Sequence, residues 1–75
     1  MNIKWTILTK MYIDDAIGFV MKDGEPFWAE TQEEAIAMLF SLMVFLPDRW
    51  YCVQHFDLDH EEPHVRNLAS NIELE

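Results

Sequence analysis

The sequence predicts an α+β fold of order β-β-β-α-β. One helix covers one face of a mainly antiparallel four-stranded sheet, giving a two-layer sandwich. Three observations carry this. An apolar run from Thr31 to Pro47 has the start and stop signals of a helix. The pair Asp23-Gly24 marks a hairpin. The segments beginning at Ile3 and at Arg49 alternate with the period of strands.

The first strand is expected over Ile3 to Tyr12. Ile3, Trp5, Ile7, Thr9 and Met11 face one way, and Lys4, Thr6, Leu8, Lys10 and Tyr12 the other. Asp14-Asp15 turns the chain into a second strand, Ala16 to Met21, with Ile17, Phe19 and Met21 on one face. Gly18 inside it suggests a bulge or the close approach of another segment. Asp-Gly suits a type I′ turn, which sets Lys22 opposite Glu25. The returning strand, Glu25 to Ala29, contains Pro26, which cannot donate to a ladder. Trp28 is expected on its core face.

Thr31 and Glu34 form a capping box, and Glu30 and Glu33 add negative charge where the helix dipole favours it. Pro47 ends the run, because the residue before a proline is pushed out of helical geometry. At 100° per residue, Ala35, Ile36, Leu39, Leu42, Met43 and Leu46 form the buried stripe, with Met38 and Phe40 on its shoulders. Val44 and Phe45 fall on the far side with Glu33, Glu34, Ala37 and Ser41. They either tuck under another segment or belong to an oligomer or partner surface.

After Pro47-Asp48 comes the fourth strand, Arg49 to Leu58, with aromatic residues on both faces as suits a central position. From Asp57 the composition turns acidic up to Pro63, and Val65, Leu68, Ala69 and Ile72 have the spacing of a short C-terminal helix. The sheet face left uncovered is expected to show Tyr12, Tyr51, Val53 and Leu8.

Seventy-five residues are read as a single domain, 1–75, with an acidic C-terminal segment at 57–75. Fourteen acids against five bases give a formal net charge of −9, which argues against direct contact with nucleic acid or an anionic membrane. It favours a partner with a basic surface. Half the residues are hydrophobic, with three Trp, two Tyr and five Phe, so the chain can build a core. One cysteine, Cys52, rules out an internal disulfide and a cysteine-based zinc site. No basic-then-apolar leader opens the chain, and the apolar run in the helix is too short to span a bilayer; a cytoplasmic location is expected.

Little in the chain suggests catalysis. Cys52 and His55 are three apart in a strand and so point to opposite faces. Two glycines, Gly18 and Gly24, are too few and too far apart to cradle a phosphate. The group His55, Asp57, Asp59, His60, Glu61, Glu62 and His64 contains metal-ligating side chains, but its spacing matches no metal motif; no metal or cofactor is expected. Two acidic groups stand out instead: Glu30, Glu33 and Glu34 beside Glu25, and Asp57, Asp59, Glu61 and Glu62. They either confer solubility or imitate phosphates in a groove built for nucleic acid.

The run Phe27-Trp28-Ala29-Glu30-Thr31-Gln32-Glu33-Glu34-Ala35, followed by the helix and Asp48-Arg49-Trp50-Tyr51-Cys52-Val53, resembles the strand, capped helix and strand of small phage inhibitors of host enzymes. In this part it is similar to phage inhibitors of bacterial RNA polymerase. The whole chain, short and acidic, resembles anti-CRISPR and other phage anti-defence proteins. The resemblance implies a non-enzymatic inhibitor acting in a host cytoplasm and assigns no role to any residue. The expected partner-binding residues are Glu30, Glu33, Glu34, Asp57, Asp59, Glu61, Glu62, Tyr12 and Tyr51, with Val44 and Phe45 as apolar contacts. The other expectation is a homo-oligomeric regulatory or structural module.

Overall fold

The computed structural model describes residues 2–11, 17–60 and 72–74. The strands are β1 (Ile3–Met11), β2 (Gly18–Lys22), β3 (Glu25–Pro26), β4 (Arg49–Asp57) and β5 (Ile72–Leu74), and one helix, α1 (Gln32–Phe45), lies between β3 and β4. The strand path β3-β2-β1-β4 is antiparallel throughout, with α1 packed on it. β5 runs parallel to β2, pairing Val20 with Ile72 and Lys22 with Leu74. Ile72 therefore belongs to a strand; the rest of the suggested C-terminal helix lies outside the described residues, as does Tyr12.

The β1–β4 ladder is the longest in the sheet. It pairs Ile3 with Asp57 and runs without a bulge to Met11 opposite Arg49. The other edge of β1 is shared. Thr9 and Leu8 pair with Gly18 and Phe19, while Trp5 exchanges two hydrogen bonds with Ala29 at 2.9 and 2.7 Å. Gly18 sits in regular register there.

The Asp-Gly turn forms as its sequence requires. Asp23 and Gly24 have φ of 54° and 80°, both left-handed, and Lys22 faces Glu25. The helix begins as its cap dictates: Thr31 is extended, and its hydroxyl accepts from the Glu34 N–H at 3.2 Å. It ends at Phe45, with the Leu46 N–H donating to the Leu42 carbonyl.

Side-chain alternation along the ladder decides which faces are which. Ile7 lies beside Val53, so Trp5, Ile7, Thr9, Tyr51, Val53 and His55 share one face. α1 covers it. Ile7, Val20 and Leu42 form the centre, and Phe27, Met38, Leu39, Leu46, Tyr51 and Val53 pack against them.

This corrects two expectations about faces and a third about position, since β4, expected at the centre of the sheet, ends the strand path. Tyr51 and Val53 lie beneath the helix, and the Tyr51 hydroxyl donates to the Leu46 carbonyl at 2.8 Å. Trp28 packs away from the helix, its ring edge-on to Phe56 at 6.0 Å, with Phe19 on the same Phe56 ring. That second, smaller apolar cluster leaves Leu8 half-buried.

Thr6 and Thr9 are completely buried, and neither hydroxyl has a hydrogen-bond partner among the described residues. A buried polar group without a partner keeps its full desolvation cost. Replacing Thr6 with Val preserves the shape and removes that cost; stability should rise by about 1 kcal/mol in a urea titration. Leu42→Ala should lower it by about 2–5 kcal/mol through the cavity left beneath the helix, and Thr31→Ala by about 1 kcal/mol through loss of the cap.

Candidate interaction surface

The helix is apolar on nearly every side, and a sheet can cover only one of them. Ala35 and Leu42 are buried, and Ile36, Met38, Leu39 and Leu46 are half-buried. The remainder faces outward: Phe40, Met43, Val44 and Phe45 are 61, 51, 74 and 79% exposed. Val44 and Phe45 lie outside the core as their helical phase implies. Met43, expected in the buried stripe, is turned out of it, and so is Phe40. The stripe instead centres on Ala35 and Leu42, where α1 packs over β1 and β4.

Acids stand at the start of the same helix. Glu30, Glu33 and Glu34 are all exposed. The carboxylate of Glu30 pairs with the Lys4 ammonium, which ties the start of α1 to β1. Exposed pairs of this kind add little stability. Glu33 and Glu34 lie in the first turn, where they complement the helix dipole.

The second acidic group begins where β4 ends. Asp57 is half-buried and works locally: its carboxylate accepts from the N–H of Asp59 at 3.1 Å and of Asn2 at 3.4 Å, and lies 3.8 Å from the His60 ring. Asp59 and His60 are exposed. Glu61 and Glu62 lie outside the described residues. The structure therefore brings Glu30, Glu33 and Glu34 together at one helix end and holds Asp57 and Asp59 at another corner of the sheet.

No three metal-ligating side chains converge among the described residues. His55 leaves the acidic turn and packs against Trp5, ring centroids 4.9 Å apart and planes tilted by 45°, on the helix-covered face. Cys52 is on the other face, where its sulfur takes a hydrogen bond from the Gln54 amide at 3.1 Å. A thiol and an imidazole on opposite sides of a strand cannot act as nucleophile and base. No helix among the described residues is long and apolar enough to cross a membrane.

Trp50 also reaches the surface. It is 41% exposed, with the Lys10 ammonium 6.0 Å from its ring centroid. Lys10 and Trp50 are partners in the ladder, so the register alone could have revealed the pair.

Comparison with protein-family models, with curated protein sequences and with solved structures finds no match to this chain. What defines the surface is therefore its own geometry: an exposed apolar helix face with carboxylates at one end.

If Val44 and Phe45 serve only binding, then replacing both with Ser should leave stability within about 0.5 kcal/mol, because neither contributes to the core. The same variant should bind less of a hydrophobic dye such as ANS, read by fluorescence.

Proposed function

We propose that this chain is a non-enzymatic inhibitor that binds a nucleic-acid-handling protein and covers that protein's basic surface. The observation that carries this is the outward apolar face of α1. Val44 and Phe45 are among the most exposed large hydrophobic residues of the described chain, on a helix whose first turn carries Glu33 and Glu34. Exposed apolar patches rimmed by polar groups mark interaction sites. Aromatic anchors supply binding energy, and the surrounding charge selects the partner and speeds encounter. The net charge of −9 makes a basic partner the favourable one and disfavours direct contact with nucleic acid. Phage inhibitors of host machinery, which the chain resembles in the segment around α1, supply the class of target. Acting on such machinery places the protein in the cytoplasm.

Two contributions separate by their salt dependence. Carboxylates facing a basic groove lose their effect as salt rises, whereas apolar contacts do not. The test is affinity capture from a bacterial lysate at low and high salt, with the bound protein identified by mass spectrometry. A nucleic-acid-binding protein that free DNA or RNA displaces is the expected result. Glu33→Lys with Glu34→Lys should then weaken its binding about tenfold at low salt. Val44→Ser with Phe45→Ser should weaken it about tenfold at every salt concentration. A captured partner indifferent to the carboxylate changes, or turnover of a substrate by the purified chain, would overturn the reading.

A further inference from the structure

The outer edge of β4 is the least guarded feature of the sheet. Sheet edges are normally blunted by proline, lysine, bulges or short length. β4 spans nine residues, contains neither proline nor lysine, and pairs with β1 without a bulge. The strand path ends at β4, and no strand among the described residues lies along its other side.

Which backbone groups reach that edge follows from the hydrogen bonds. Trp5 bonds to Ala29, so the odd-numbered residues of β1 point away from β4 and the even-numbered ones point towards it. Leu58 donates to the Asn2 carbonyl, so even-numbered residues at this end of β4 point to β1. The odd-numbered residues, with Val53 at the centre and His55 beside it, thus turn their N–H and C=O groups to the outside.

We propose that the occupant of this edge is a second copy of the same chain, paired antiparallel through β4 about a two-fold axis at Val53. The strand is self-complementary in that register. Val53 meets Val53 as a hydrogen-bonded pair, and His55 comes opposite Tyr51. Cys52 comes opposite Gln54 and Trp50 opposite Phe56, and the basic end at Arg49 lies beside the acidic end at Asp57. Such a pairing, carried from Arg49 to Asp57, continues the sheet across the axis with about ten new ladder bonds.

The helix supports the same occupant. A perpendicular two-fold keeps both helices on one face. Each sits over β1 and β4, so their axes come about 10 Å apart, the spacing of packed helices. Ala29 and β4 are both antiparallel to β1, hence parallel to each other, and α1 joins them. Connections of that kind are right-handed, which turns the Ile36, Phe40 and Met43 side of α1 towards the open edge. Met43 and Phe40, 51 and 61% exposed, would then meet their copies across the axis. Val44 and Phe45 stay outside, so the dimer and the inhibitor reading stand independently of one another.

Each copy carries a net charge of −9, so dimerisation should strengthen with salt, opposite to the binding of a basic target. Light scattering at ~100 μM protein should give a dimer mass at about 0.5 M salt and fall towards the monomer at low salt. Met43→Glu, at a position outside the core, should raise the dissociation constant about tenfold with an unchanged circular dichroism spectrum. The register has its own test. Gln54→Cys places a thiol opposite Cys52 of the second copy, at a non-hydrogen-bonded pair where β-carbons are close. Mild oxidation should then yield a covalent dimer, and the Cys52→Ser/Gln54→Cys double variant should yield none. A monomer at every salt concentration overturns the proposal, and so does a dimer that Gln54→Cys fails to cross-link or that Met43→Glu leaves intact.

Discussion

The ladder between β1 and β4 is the constraint on which the rest of the structure depends. Its register sets Ile7 beside Val53 and Trp5 beside His55, and so decides which side chains lie under the helix. A slip of one residue would turn every side chain of β4 to the other face. Ile7 and Val20 would then lose Tyr51 and Val53, and Tyr51 would lose the Leu46 carbonyl. The ladder also consumes the whole of one side of β1. The short strands must therefore share the other side, with Gly18 and Phe19 at one end and Ala29 at the other.

The parts of the fold that were legible in the sequence are those set by local chemistry. Thr31 and Glu34 fixed the start of the helix, since a side-chain oxygen three residues before an N–H has one favourable geometry. Asp23-Gly24 fixed the hairpin, since few residues accept positive φ in succession. What could not be read was orientation. Both faces of β4 carry aromatic side chains, so alternation gave two sets of residues and no means of saying which lay beneath α1. Trp28 was misplaced for the same reason: a large apolar side chain fits either of the two clusters. Along α1 an almost unbroken apolar sequence blurs the phase, and Met43 was assigned to the core for want of a polar neighbour to mark the boundary.

The candidate surface was legible in outline. Val44 and Phe45 stood out because helical phase carries them away from the stripe, and the exposed acids at Glu30, Glu33 and Glu34 follow from their place at the cap. Tyr51 lies beneath the helix and not on the open face because its hydroxyl finds the Leu46 carbonyl at the helix end, and burial of a phenol is inexpensive once its hydrogen bond is made. Charge and apolar exposure are coupled here. The net charge of −9 makes like-charged copies repel one another, which opposes association through exposed hydrophobic surface at low salt.

The same ladder has a consequence for synthesis. β1 emerges before the helix, and its partner along the whole of one edge emerges only after the helix has been made. At about 5–20 residues per second, the first strand waits some seconds on the ribosome with its backbone unpaired on that side. Non-local pairing of this kind is slow to form, since the intervening loop must close before any contact rewards it. The core is complete only once β4 is in place, because Tyr51 and Val53 pack into it.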